Sequence, residues 1–295
     1  MKGLIIVNAY TYMPNNEYQA QRIKRELETR GVETEIIRND SFIARIDGSG
    51  NISAVSGYDF AVYLDKDKYI SSMLELSGLR LFNSHASIRI CDDKAATYIA
   101  LSGSGIAVPR TLTGLLCYDK SACVNQTSLD IVENSLGYPL IIKECYGSLG
   151  KGVYKADSRE QLEQYAAKLI TTPHLFQQYI ESSAGTDMRV IVVGGKCIAA
   201  MRRVSKSDFR SNIELGGRGE PYNLSEKTIE ICERAASILG LDYCGIDMLI
   251  GSSGEPEILC EVNSNAFFTA IEKITGVNIA AAYAEHIVKE MNARG

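Results

Sequence analysis

Two stretches of this sequence combine residue types that hold anions and hard cations. The first is YGSLGKGV, residues 146–153, which follows an apolar run containing Lys143 and precedes a second short apolar run. Gly147, Ser148, Gly150 and Gly152 let backbone N–H groups approach an anion closely, and Lys143 adds positive charge. The loop is not a Walker A motif, because it joins two strands rather than feeding a helix. A Gly-rich hairpin that serves only as a turn has the same composition, so the loop alone does not decide between the two. The second stretch is the pair GIDMLI and CEVNSN, which supplies Asp247, Glu261 and Asn263. Residues 261 and 263 share one face of a strand, and an antiparallel neighbour can set Asp247 opposite them. Two carboxylates and an amide oxygen suit Mg²⁺, which favours oxygen ligands and keeps positions open for water and phosphate. The alternative is a set of solvent-facing strand residues. Their apolar neighbours speak against it, because an isolated charge in such company is costly.

A basic run lies between them. Residues 187–218 carry seven basic side chains (Arg189, Lys196, Arg202, Arg203, Lys206, Arg210 and Arg218) against Asp187, Asp208 and Glu214. Such a run is usually a solvated face. Here Arg203 closes an apolar strand and Arg210 lies in DFRSN ahead of LGGRG, so the pattern reads as a loop aimed at a phosphoryl group or a carboxylate. The whole chain is nevertheless acidic, with a net charge of -5 and a pI near 5.4, which argues against nucleic acid or an anionic membrane as a partner. The eight Cys include no CxxC pair, and the three His are distant from them, so zinc is not expected. Most of these Cys sit in apolar runs and read as small buried residues of a reducing, cytoplasmic setting.

The elements that must position these groups follow from periodicity. Strand signals at GLIIVNAY, TEIIRN, YDFAVYLD and LRLFNS alternate with helices at 17–30 and 67–78, which implies a doubly wound parallel sheet of about 90 residues. A further helix opens at CDDKAATYIALSGSG with Asp92 as its cap. Residues 114–180 change character to helix, strand, Gly-rich hairpin, strand, helix and strand, a small α+β unit. From 181 onward, strands at MRVIVVG, KCIAAMRR, YCGIDMLIG and EILCEVN surround a helix at 225–239, and a last helix closes the chain at 279–292. Gly194–Gly195 and residues 252–256 mark antiparallel hairpins. The longest apolar runs fall far short of the roughly 20 residues of a membrane helix.

In order along the chain, CDDK, PLIIKECYGSLGKGV, FQQYIESSAGTDMRVIVVGGKCIAAMRR, DFRSNIELGG, GIDMLI and EVNSNAFF resemble the ATP-grasp superfamily, and within it the RimK-type carboxylate-amine ligases. The likeness covers residues 91 to 268. It implies an α/β domain at 1–91 and an ATP-grasp domain at 92–295, divided into a lid at about 114–180 and a catalytic part at about 181–295. By resemblance, Lys94 and Lys143 contact ATP phosphates under the loop Gly147–Gly152, and Gln178, Tyr179 and Ile180 form the hinge that reads adenine. Asp187 is the implied ribose partner, Arg210, Ser211 and Asn212 the triphosphate-side loop, and Asp247, Glu261 and Asn263 the ligands of two Mg²⁺ ions, with Mn²⁺ as a substitute. Arg203 is the implied stabiliser of the acyl-phosphate and its tetrahedral successor.

The implied reaction is attack of a substrate carboxylate on the γ-phosphate, then displacement of phosphate by an amine, glutamate being favoured. The acceptor is a peptide, a protein tail or a small metabolite, and the enzyme a monomer or a homo-oligomer. The stretch from Arg203 to Phe209 is about one residue shorter than in glutamate-adding members, and Glu214 and Leu215 stand where a basic residue is common, so specificity stays open. A D-alanyl-D-alanine-like ligase and a nucleotide-binding regulatory module are the competing readings. His85, in FNSHAS, is a weaker candidate near the cleft between domains.

Overall fold

The computed structural model describes residues 1–148, 150–213 and 216–294; Glu214 and Leu215, singled out above, lie outside the described residues. Strand β1 (Lys2–Val7) turns Leu4 and Ile6 to one side and Ile5 and Val7 to the other, all of them buried. A strand covered on both faces reads as a continuous apolar run, which is why GLIIV does not alternate with polar residues. Helix α1 (Pro14–Glu28) covers one face with Ala20, Ile23 and Leu27, and starts with a proline at the position where no N–H is needed. After β2 (Glu33–Arg38) the chain makes a hairpin, β3 (Arg45–Ile46) and β4 (Ile52–Ser53), that was not expected from the sequence. Its strands are two residues long, too short for periodicity to register.

Strand β5 (Phe60–Leu64), helix α2 (Lys68–Leu76) and β6 (Arg80–Phe82) complete a parallel sheet of order β2-β1-β5-β6. The other face is covered by α2 through Leu74, so the sheet is doubly wound as expected. Helices α3 (His85–Asp92) and α4 (Lys94–Ala100) replace the single helix expected from Cys91. Asp92 is not a cap. The backbone leaves helical geometry at Asp93, whose carboxylate accepts from the N–H groups of Ala95 and Ala96.

Strand β7 (Thr111–Thr113), α5 (Gln126–Leu136), β8 (Leu140–Glu144), β9 (Val153–Ala156), α6 (Arg159–Lys168) and β10 (His174–Gln178) form an antiparallel layer of order β7-β10-β8-β9 with both helices on one face. The Gly-rich loop is the connection between β8 and β9, which pair at Lys143 and Val153.

The last layer has order β13-β12-β11-β14-β15. Its members are β11 (Thr186–Val193), β12 (Lys196–Val204), β13 (Arg218–Pro221), β14 (Tyr243–Ile250) and β15 (Pro256–Asn263). Gly194 and Gly195 both adopt positive φ in the tight β11–β12 turn, which selects glycine at each. Helix α7 (Glu226–Ile238) covers the face bearing Met188, Val190 and Val192. Helices α8 (Thr269–Thr275) and α9 (Ile279–Asn292) cover the opposite face at Ile191, Val193, Ala199 and Met201. Helix α9 also packs on α1, so Ile23, Leu27, Tyr283 and Ile287 belong to one core joining the first sheet to the last. Half of the cysteines depart from the buried reading: Cys123 is exposed and Cys117, Cys197 and Cys260 are part-buried. Among the described residues, no helix is long and apolar enough to cross a membrane.

Candidate active site

The face of the last sheet that carries Ile191 and Met201 under α8 and α9 changes character towards its open end. Along β11 the alternation that points Ile191 and Val193 to that face also points Arg189 and Asp187 to it. Register then brings partners alongside: Asp187 pairs with Arg203 of β12, and Arg189 with Asp247 of β14. The Arg203 guanidinium grips Asp187 through Nε at 2.6 Å and Nη2 at 2.5 Å, and Nη2 also lies 3.1 Å from Asp247 Oδ2. Arg189 holds Asp247 from the other side, Nε to Oδ1 and Nη2 to Oδ2, the latter at 2.7 Å. Gly245 makes room for that fork, since a Cβ there would lie 3.1 Å from Arg189 Cδ and 2.4 Å from Ala266 Cβ. Burial pushes the Asp247 carboxyl up, but the pull of Arg189 and Arg203 outweighs it and holds the group below its ordinary value. The two arginines and two aspartates therefore form one charge-paired row, with Arg203 and Asp247 buried and Asp187 and Arg189 part-buried.

Beside this row, β15 breaks its own alternation. Asp247 pairs with Glu261 and Met248 with Leu259, which leaves Cys260 as the extra residue of a β-bulge. Cys260 and Glu261 can then both face the same cleft although they are adjacent in a strand. Lys143 Nζ reaches Cys260 Sγ at 3.5 Å, and Lys94 Nζ donates to Gly147 O at 2.9 Å and lies 3.7 Å from Glu261 Oε1. Burial pushes the Cys260 thiol up, so it faces Lys143 as a neutral sulfur. The DFRSN segment closes the far side: Arg210 is forked by Asp208 and donates from Nη1 to Gly150 O at 2.8 Å.

Lys94, Lys143, Asp187, Arg203, Arg210, Asp247, Cys260 and Glu261 line a cleft of about 860 Å³ between the two antiparallel layers. Its lining combines Ile141, Val153, Tyr179, Phe209 and Leu249, apolar walls suited to a planar ring, with the cations Lys94, Lys143, Arg203 and Arg210, the last of them 5.4 Å from the centre of the Phe209 ring. Of the residues singled out in the sequence, Lys94, Lys143, Gly147, Ser148, Gly150, Gln178, Tyr179, Ile180, Asp187, Arg203, Arg210, Ser211, Asn212, Asp247 and Glu261 all line it. Gly152 shapes the loop instead: it has φ of +71°, and a Cβ there would meet the Glu144 side chain at 2.6 Å. Asn263 lines a second cavity of about 1290 Å³, which adjoins the first across Asp247 and Glu261 and reaches Asn8, Thr11 and Lys66 of the parallel sheet. His85 lines neither cavity; it begins α3 and its Nδ1 lies 3.0 Å from Ser71 Oγ.

The donor types suit a hard divalent cation, but both Asp247 oxygens are held by Arg189 and Arg203 in this structure, so an ion would share that carboxylate with the guanidinium groups. Asp247, Glu261 and Asn263 offer only oxygen, from two carboxylates and one amide, at the seam of the two cavities. Among the described residues there is no cluster of three His, Cys, Asp or Glu side chains able to hold an ion, so the remaining ligands of an ion here would be phosphate and water. Sequence reasoning gave no particular role to Arg189 or Cys260. The spacing Asp187-x-Arg189 signalled a shared face, but the partner carboxylate lies 58 residues away, and the bulge left no mark in composition.

Two antiparallel layers closing on a cleft, set behind a parallel sheet, define the ATP-grasp architecture. A solved structure of the ATP-grasp ligase PsnB, complexed with a minimal precursor, Mg and ADP, shares the fold over 98% of this chain and 98% of its own, with a TM-score of 0.70 at 19% identity. The chain belongs to the RimK-like ATP-grasp family, whose domain model matches residues 91–287. A probable alpha-L-glutamate ligase of Psychromonas ingrahamii is 31% identical over 290 residues, covering 94% of this chain and 93% of that protein. Beta-citrylglutamate synthase B of Danio rerio is 33% identical over 235 residues, covering 79% of this chain. The chain spans only 56% of the length of that relative.

Proposed function

We propose that this protein is an ATP-dependent carboxylate-amine ligase that forms an amide through an acyl-phosphate, with glutamate as the favoured amine. The observation that carries the reading is the junction of the two cavities over Asp247 and Glu261, one lined by cations and apolar walls, the other roomier and lined by amides. A carboxylate is a poor electrophile because oxide is a poor leaving group. Transfer of the γ-phosphoryl group to a carboxylate oxygen turns that oxygen into part of a phosphate, which an amine then displaces while losing its proton.

Within this reading, Tyr179, Phe209, Ile141 and Leu249 enclose the base, and residues 178–180 read its edge. Lys94, Lys143, Arg210 and the N–H groups of the Gly147–Gly152 loop hold the phosphates. Asp187 keeps Arg203 in place, since both of its oxygens accept from that guanidinium, and this takes precedence over the ribose contact implied by resemblance. Arg203 faces the cleft from a fixed position and supplies charge to the reacting centre. Asp247, Glu261 and Asn263 would hold Mg²⁺, as two ions, which supplies charge neutralisation and in-line orientation of the triphosphate. We also take residues 1–91 as the substrate-side α/β unit and 92–295 as the ATP-grasp unit.

Incubation of the chain with ATP, Mg²⁺, glutamate and a panel of carboxylates that includes citrate and short peptides tests the proposal. ADP should appear only when a carboxylate and an amine are both present, with a product whose mass equals their sum less water. Nucleotide binding with no substrate-dependent ADP would assign the fold to a regulatory module instead.

A further inference from the structure

The reaction proposed above must bring together two groups of the same charge, the terminal phosphate and the acceptor carboxylate, across the line where the two cavities meet. Among the described residues, Ser148, Lys151, Asn212, Asp247 and Glu261 line both cavities. Lys151 is the one cation in that set. Lys94, Lys143, Arg203 and Arg210 line only the first cavity, while Lys66 and Arg189 line only the second. Most of those cations are also engaged: Arg203 by Asp187 and Asp247, Arg189 by Asp247, Arg210 by Asp208, and Lys66 by Asp92 at 2.8 Å.

The backbone beneath Lys151 is held on both sides of the loop. Its N–H donates to Ser148 O at 3.2 Å, and the preceding carbonyl, of Gly150, accepts from Arg210 Nη1 at 2.8 Å. On the other side Gly152 sits against Glu144 with a positive φ that no larger residue adopts without strain. The long side chain is exposed and lines both cavities at the seam. An ammonium in that position attracts both anions and offsets their mutual repulsion at the moment of approach.

We propose, resting on the ligase reading, that Lys151 is a catalytic residue that contacts the terminal phosphate of ATP and the acceptor carboxylate together. It contributes to the meeting of the two substrates rather than to retention of the nucleotide diphosphate. The test uses the full chain, Lys151→Ala and Lys151→Arg, with Mg²⁺ present throughout. Calorimetric titration with ADP and with the non-hydrolysable ATP analogue AMP-PNP is expected to show ADP affinity unchanged within about twofold in Lys151→Ala, and AMP-PNP affinity reduced about tenfold. Lys151→Arg is expected to recover most of the loss. Equal losses for both nucleotides, or no loss for either, overturn the proposal, and this arm does not depend on turnover. In the second arm, ADP release with glutamate and citrate or another carboxylate from the panel is expected to show kcat/KM for the carboxylate about tenfold lower in Lys151→Ala. An unchanged value in that arm overturns the carboxylate contact. A parent chain that discriminates AMP-PNP through Lys151 but turns over no carboxylate would contradict the ligase reading while leaving the phosphate contact intact.

Discussion

The row Asp187, Arg203, Asp247 and Arg189 alternates charge across three neighbouring strands, with Arg203 and Asp247 buried at its centre. Each charge is compensated only by its neighbours, so truncating one leaves another uncompensated away from water. Arg189→Met should lower stability by about 3–5 kcal/mol, measured by urea unfolding, and a neutral outcome would show that water or another group reaches Asp247. The pH dependence has a definite sign. Because Asp247 is held below its ordinary carboxyl value in the folded state, its stabilising contribution is fully present above about pH 4 and is lost as pH falls through the depressed value. Asp247→Asn should therefore reduce stability at pH 7 and flatten its decline in acid. Glu261→Gln, with its carboxylate only part-buried, should leave the fold intact and abolish turnover; an active variant would remove it from the metal set. The placement of Asp247 opposite Glu261 was legible because antiparallel alternation puts 261 and 263 on one face and sets a neighbouring strand against them. The roles of Arg189 and Cys260 were not, because they depend on cross-strand register and a bulge.

At the scale of elements, the site rests on how strands and short helices end. Helix α4 presents Lys94 only because Asp93 breaks the chain and caps the new helix. Asp93→Ala should cost about 0.5–2 kcal/mol and weaken ATP binding through a displaced Lys94, readable by calorimetry. Loss of stability with undiminished binding would separate the cap from the site. Strand β15 likewise acts through its irregularity, since the bulge turns two consecutive residues into one cleft. Most long elements were readable in the sequence because their apolar positions repeat with period 2 or 3.6. The short ones, β3, β4, β13, α3 and α8, were not, since few residues carry their pattern and tertiary contacts define them. The cap was placed one residue early for a related reason: adjacent aspartates at 92 and 93 are equivalent in composition and differ only in backbone conformation.

For the whole molecule, α9 is the clasp. It packs on α1 of the parallel sheet and on β11 and β12 of the last sheet, so the parallel-sheet unit and the sheet that carries the charged row share one core. Sequence reading divided the chain at 91 and placed the closing helix with the far unit, because a core shared by segments more than 250 residues apart leaves no local trace. Ile287→Ala should cost about 2–5 kcal/mol, and hydrogen exchange should show β1 and β11 losing protection together; loss confined to one sheet would mean that the two layers unfold separately. The same joint fixes the second cavity between the parallel sheet and Asp247, where the acceptor must lie if the chain is a ligase. An acceptor labelled with ¹⁸O in its carboxylate tests that claim most directly. One labelled oxygen should pass into the released phosphate for each amide formed, and phosphate free of label would contradict an acyl-phosphate at this site.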